Sequence, residues 1–136
     1  AARGVELVPL PVLLESSDVV TLHVPLSEET RHLIDGAALA RMKRTAVLVN
    51  VARGPVVDNA ALAEALLAGE IAGAAVDVFD MEPPLPPDYP LLHVGERAVF
   101  TPHTAFATSE AFVKRGTIVI DNIRAWRAGA PVNVIV

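Results

Sequence analysis

The chain of 136 residues is long enough for one domain, and 52% of its residues are hydrophobic although only 4% are aromatic. The formal net charge of −5 excludes nucleic acid as a main partner, because few basic groups are available to neutralise phosphates. No cysteine is present, so disulfides and thiolate metal sites are excluded, and we expect no metal. No apolar run approaches the roughly 20 residues of a membrane span and no secretory signal pattern is found. The sequence therefore predicts a cytoplasmic protein without a membrane partner.

Short aliphatic runs alternate with helix-like stretches along the chain. In chain order, the pattern predicts a strand at Val5–Val8, a helical turn at Pro11–Glu15, a strand at Asp18–Leu22, a helix at Ala37–Met42, a strand at Ala46–Val49, a helix at Asn59–Ala68, strands at Ala72–Val76 and Ala98–Phe100, and a final helix from 109 to about 128. Asp35, Asp58 and either Thr108 or Ser109 suit the N-caps of the last three helices, and Gly69 suits a left-handed helix end. We expect the final helix to have a core-facing side formed by Phe112, Val119, Ile120, Ile123 and Trp126.

The alternation of strands and helices predicts parallel strands joined by right-handed crossovers. The mean hydropathy of +0.44 indicates strands that are buried on both faces. The predicted fold class is therefore α/β, a doubly wound parallel sheet of the Rossmann-like type. In such sheets ligands bind beyond the carboxyl ends of the strands, so the residues that follow each strand are candidates for a site.

Four charged or titratable side chains, Arg53, Asp77, Glu82 and His103, closely follow predicted strands. Each has an ordinary structural explanation by itself, such as a surface ion pair, a turn, a solvated carboxylate or a buried histidine. Their common position at one rim favours a site that reduces a 2-oxoacid. Arg53 suits a two-pronged bond to a carboxylate, and His103 suits proton transfer to the carbonyl oxygen. Glu82 is placed to orient the imidazole and favour its charged form, and Asp77 to accept a hydrogen bond from a nicotinamide carboxamide.

Four ordered segments resemble those of the D-isomer-specific 2-hydroxyacid dehydrogenase family: LLESSDVVTLHVPLSEETRHLI, MKRTAVLVNVARGPVVDNAAL, AGAAVDVFDMEPP and VFTPHTA. The resemblance covers nearly the whole chain and implies that Arg53 binds the substrate carboxylate while His103, paired with Glu82, is the acid/base. The related formate dehydrogenases have glutamine in place of Glu82, which favours hydroxyacid chemistry here. The cofactor contacts that the resemblance implies are His23, Val24, Pro25, Thr30, Val51, Ala52, Arg53, Asp77, His103, Thr104 and Ala105.

The chain departs from the family in one large respect, because no two of its eight glycines have the spacing of a G-x-G-x-x-G turn. The resemblance therefore implies an incomplete sheet that lacks the first βαβ unit with the glycine-rich turn. Residues 1–128 are expected to form the second part of a dinucleotide-binding domain, and residues 129–136 a tail returning toward a substrate domain that is absent. The resemblance also implies NAD as the cofactor, with NADP left open, a small 2-oxoacid or 2-hydroxyacid substrate, and a homodimer.

Two other hypotheses about function remain open. One is a non-catalytic NAD(H)-sensing protein of the same fold, similar to transcriptional corepressors that keep the same residues. The other is a segment inactive by itself, since the backbone donors of the glycine turn, which hold a pyrophosphate, are missing.

Overall fold

The structure is a computed structural model that describes residues 4–81 and 84–134. The chain divides into two compact units, Ala1–His103 and Thr104–Val136. The first unit contains the sheet and most of the helices, and the second contains one long helix. Of the helices in the described ranges, none combines the length and the apolarity that a membrane crossing requires.

The first unit is built on a sheet of four parallel strands in the order β1-β2-β3-β4. The strands are β1 (Val19–Leu22), β2 (Val47–Asn50), β3 (Gly73–Val76) and β4 (Ala98–Phe100). Their register pairs Leu22 with Asn50, Asn50 with Val76, and Val76 with Phe100. The carboxyl ends of the four strands therefore lie side by side, and the predicted α/β, Rossmann-like architecture is confirmed.

The helices are α1 (Leu10–Ser16), α2 (Gly36–Leu39), α3 (Asn59–Ala68) and, in the second unit, α4 (Ser109–Arg127), with short 3-10 turns at Gly54–Val56, Pro90–His93 and Gly95–Arg97. The predicted caps are confirmed, because Asp35 accepts from the Ala38 amide at 2.8 Å and Asp58 from two amides in the first turn of α3. Gly69 ends α3 with a φ of 68°. The helix α2 is shorter than predicted. After Leu39 the amides of Arg41 and Met42 bond the carbonyls three residues earlier, which is the 3-10 pattern rather than the α-helical one.

Only one face of the sheet is fully buried, whereas the composition predicted burial on both faces. Val20, Leu48 and Val76 point into a core that α2 and α3 share, while Val19 and Val99 on the other face are more than 60% exposed. The strand order explains this difference. When parallel strands advance in one direction, right-handed crossovers all lie on the same side of the sheet.

The predicted strand at Val5–Val8 is wrong, because these residues form no strand. The Val5 and Leu7 side chains are exposed, and none of the described strands pairs with this segment. An aliphatic run becomes a strand only when its backbone groups find a partner ladder.

In the second unit the extent of α4 agrees with the prediction, and Thr108 rather than Ser109 is its N-cap, accepting from the Ala111 amide at 3.1 Å. A backbone amide and the Thr108 side chain hold the pKa of Glu110 below its usual value. All five apolar residues of the expected core-facing side are at least half exposed, and their core-facing role stays a prediction. Within the described residues 104–134 no other helix or strand is present to cover them. The residues concerned are Phe112, Val119, Ile120, Ile123 and Trp126.

Candidate functional site

A cleft of about 590 Å³ opens beyond the carboxyl ends of β1 and β2. Two segments form it, one following each strand, so the register of the strands brings together residues that are far apart in sequence. Six predicted cofactor contacts line this cleft, and Leu26 joins them although the sequence did not single it out. The lining residues are His23, Val24, Pro25, Leu26, Val51, Ala52 and Arg53.

The loop that carries Arg53 is held by the side chain of Asn50, the last residue of β2. The Asn50 amide donates from Nδ2 to the Arg53 carbonyl at 3.1 Å and accepts at Oδ1 from the Ala52 amide at 3.1 Å. Arg53 itself is exposed at the cleft, and its Nη1 donates to the Ala52 carbonyl at 2.7 Å. The guanidinium is thus carried on a short, internally bonded loop at the mouth of the cleft.

Gly54 follows Arg53 and lies against the segment after β3. A methyl group built on Gly54 would be 1.8 Å from the Phe79 carbonyl oxygen and 2.3 Å from the Asp80 nitrogen. Those contacts involve backbone atoms, which cannot move aside as a flexible side chain can. Only glycine fits at this position, and the close approach sets the separation of the two loops.

Asp77 and His103 are joined by the backbone at the ends of β3 and β4. The buried Asp77 donates its amide to the Asn50 carbonyl at 3.0 Å, and its own carbonyl accepts from the His103 amide at 2.9 Å. The Asp77 carboxylate accepts from the Thr101 hydroxyl at 2.5 Å. His103 is half-buried and has a φ of 55°, a conformation that is uncommon for a residue with a side chain. A continuous set of hydrogen bonds therefore connects the Arg53 loop, Asp77 and His103.

The remaining predicted site residues have other placements. Glu82 lies outside the described residues, so its expected pairing with His103 remains a prediction. Thr30 is not among the residues that line the cleft; its hydroxyl donates to the Pro25 carbonyl at 2.7 Å and accepts from the Ser27 amide at 2.8 Å, which closes the turn between them. Thr104 and Ala105 belong to the second unit.

Tyr89 contacts two residues of the segment that follows β3. The hydroxyl of buried Tyr89 donates to the Asp80 carboxylate at 2.6 Å, and its ring meets Phe79 edge to face at 6.0 Å. Burial, and then the bond to Asp80, raise the pKa of Tyr89 well above its usual value. Tyr89 is therefore protonated at neutral pH, as this hydrogen bond requires.

Sequence reasoning missed Asn50, Gly54 and the pair of Tyr89 with Asp80. One signal was available for Asn50, because an amide at the end of the aliphatic run AVLVN is unusual and a buried polar group needs partners. The close approach at Gly54 joins residues from separate loops, and the bond from Tyr89 to Asp80 joins residues nine positions apart in one loop. No local pattern in the sequence reports such contacts.

Parallel strands with level carboxyl ends and a cleft beyond them define the class of α/β proteins that bind nucleotide cofactors at this edge. Residues 1–105 match the family model for the D-isomer specific 2-hydroxyacid dehydrogenase, NAD binding domain, and the chain belongs to this family. The predicted family and the NAD-binding class of fold are thereby confirmed.

Individual proteins show how close the relationship is. The chain is 53% identical to a glyoxylate reductase of Korarchaeum cryptofilum over 133 residues, covering 97% of this chain and 40% of that protein. It resembles the NAD-complexed D-isomer specific 2-hydroxyacid dehydrogenase from Lactobacillus delbrueckii ssp. bulgaricus with a TM-score of 0.84 and 34% identity, over 95% of this chain and 43% of that one. An acyclic imino acid reductase in complex with NADPH and D-Arg aligns over 100% of this chain and 43% of its own, with 32% identity and a TM-score of 0.90. The chain thus spans about two fifths of the length of these proteins.

Proposed function

We propose that the protein containing this chain is an NAD(P)-dependent D-2-hydroxyacid dehydrogenase that interconverts a small 2-oxoacid and its D-2-hydroxyacid. The observation that supports this most is the bonded set from the Arg53 loop through Asp77 to His103. It connects the loop of the cationic Arg53, which follows β2, to the backbone of His103, which follows β4 and carries an imidazole, through Asp77 at the end of the intervening strand β3. Reduction of a 2-oxoacid needs both, one for the carboxylate and one for the carbonyl oxygen.

In this proposal each side chain has a distinct task. The Arg53 guanidinium binds the substrate carboxylate with two parallel N–H groups, a geometry that lysine cannot offer. His103 donates a proton to the carbonyl oxygen during reduction and takes it back in the reverse direction. Glu82 accepts from the other ring nitrogen, which fixes the imidazole tautomer and stabilises its charged form.

The cleft formed by 23–26 and 51–53 fits the nicotinamide end of a dinucleotide. Its wall combines the apolar side chains of Val24 and Val51 with exposed backbone and the Arg53 guanidinium. When bound, the cofactor supplies or accepts the hydride. The chain's own residues shield that transfer from water and orient the substrate. Asp77 would accept a hydrogen bond from the nicotinamide carboxamide.

The same proposal includes the organisation of the whole protein. Residues 1–128 would complete a dinucleotide-binding domain with chain that this sequence does not include, and 129–136 would lead toward a substrate domain. A homodimer in the cytoplasm is the form we expect from the family resemblance, and light scattering of the full-length protein measures the oligomeric state.

The test replaces His103 by alanine in the full-length protein and measures NADH- and NADPH-dependent reduction of a panel of small 2-oxoacids. The kcat should fall by about 10²–10⁴-fold, since that is the usual contribution of a general acid/base. His93→Ala is the matched control, because His93 is exposed and its ring is hydrogen-bonded to the Pro87 carbonyl, at 3.0 Å.

Near-wild-type turnover by His103→Ala across the pH range would refute the assigned role. A wild-type protein that binds NADH but reduces no 2-oxoacid would instead favour the cofactor-sensing reading.

A further inference from the structure

We propose that Asn50 is a positioning residue that presents Arg53 to the substrate, an assignment whose kinetic consequence rests on the proposed function. Asn50 is 1% exposed and is the one amide side chain at a strand end that bonds the Arg53 loop within the described residues. It touches neither the cleft nor the reacting atoms. Its action goes through the loop that it holds.

The Asn50 side chain bonds two successive residues of the Arg53 loop. Nδ2 donates to the Arg53 carbonyl and Oδ1 accepts from the Ala52 amide, each at 3.1 Å. One planar amide therefore satisfies a donor and an acceptor on successive residues of the loop. Aspartate and leucine, which are close to asparagine in size, lack the donor or both groups.

The backbone of Asn50 is bonded to the residue that follows the neighbouring strand β3. Its backbone carbonyl accepts from the Asp77 amide at 3.0 Å, and Asp77 in turn bonds the amide of His103 at 2.9 Å. Through its side chain Asn50 fixes the Arg53 loop, and through its main chain it fixes the end of β3. Hydrogen bonds from Asn50 therefore lead both to the loop of Arg53 and, through Asp77, to the backbone of His103.

Burying the polar amide of Asn50 on the inward face of β2 costs free energy. Asn50 shares the inward face of β2 with Leu48, which is fully buried in the hydrocarbon core. An aliphatic residue would suit that face better if packing were the only requirement. The amide is useful there because the Ala52 amide would otherwise lose its partner, and the Arg53 carbonyl would lose one of two bonds and keep that from the Val56 amide, at 3.2 Å.

The experiment compares Asn50→Ala and Asn50→Asp with wild type in the full-length protein. The Asp variant keeps an acceptor for the Ala52 amide but loses the donor to the Arg53 carbonyl. Asn59→Ala is the matched control, because Asn59 is also a buried amide, 5% exposed, but makes no hydrogen bond of good geometry and lies at the start of α3.

The first measurement does not depend on activity. Trypsin cleavage after Arg53 is timed against cleavage after Arg44, which is exposed on another turn of the same unit. We expect both Asn50 variants to raise the Arg53-to-Arg44 ratio by at least about fivefold, the factor that corresponds to losing one hydrogen bond. Asn59→Ala should leave the ratio unchanged. An unchanged ratio in the Asn50 variants would overturn the proposal.

The second measurement is kinetic. Both Asn50 variants should raise the KM of the 2-oxoacid by about fivefold or more, since the guanidinium is no longer held. If the wild-type protein reduces no 2-oxoacid and the Asn50 variants still raise the cleavage ratio, the contact of Asn50 with the Arg53 loop is supported and the proposed function is refuted. A KM that matches the Asn59→Ala control in an active enzyme would refute the positioning role.

Discussion

The two units of this chain differ in how their helices are stabilised. In the first unit α3 buries Leu62 and Leu66 completely in the hydrophobic core, and the strand ends are joined by side-chain and backbone bonds. In the second unit α4 is nearly twice as long, yet none of its residues is buried. Caps and helical periodicity therefore define the extent of a helix in both units, whereas burial depends on what else the chain places beside it.

Replacement of Leu62 by alanine should give the largest effect, because it removes a fully buried side chain and leaves a cavity. The free energy of unfolding should fall by about 2–5 kcal/mol. Ile120→Ala, at a site on α4 that is 50% exposed, should change it by no more than about 0.5 kcal/mol. Urea unfolding of the 136-residue chain measures both, and equal losses would mean that the contrast between the units is wrong.

A second pair of variants compares a glycine from each unit. Gly54→Ala should destabilise by about 1–3 kcal/mol or more, because the added methyl meets the backbone of Phe79 and Asp80. Gly116→Ala should stabilise by about 0.5–1 kcal/mol, since Gly116 is inside α4 with open space around it. Thermal unfolding should therefore shift in opposite directions. A tolerated alanine at position 54 would show that the two loops are not in close contact.

Tyr89→Phe should have a smaller effect than Leu62→Ala or Gly54→Ala, and one that depends on pH. Loss of the hydrogen bond to Asp80 should cost about 0.5–1.5 kcal/mol at neutral pH. The pKa of Tyr89 is raised in the folded protein, so its stabilising contribution is complete below the ordinary tyrosine pKa of about 10 and is lost as the pH rises above it. The difference between the variant and wild type should therefore shrink in urea titrations above about pH 10. A difference that grows with pH would contradict this sign.

Local signals predicted the elements well where they are complete within a few residues. The helix α3 has its N-cap at Asp58 and its left-handed end at Gly69, and it runs as predicted. The predicted strand at Val5–Val8 was wrong, since a strand depends on a partner that no local pattern reveals. The extent of α4 agrees with the prediction, since its N-cap at Thr108 is again a local signal.

The sequence by itself determined the α/β class, the caps and the rule that polar residues after the strands gather at one rim. Six of the predicted cofactor contacts share a cleft because parallel strands in register must end together. Only the tertiary structure decided how the rim is held: that Asn50 bonds the Arg53 loop, that Gly54 lies on the backbone of Phe79, and that Asp77 joins Asn50 to His103. The bond from Asn50 to Arg53 joins residues only three positions apart, whereas the other two contacts link residues far apart in the chain. The distant contacts exist only after the strands have paired, so their physical cause is the assembled sheet rather than any short stretch of sequence.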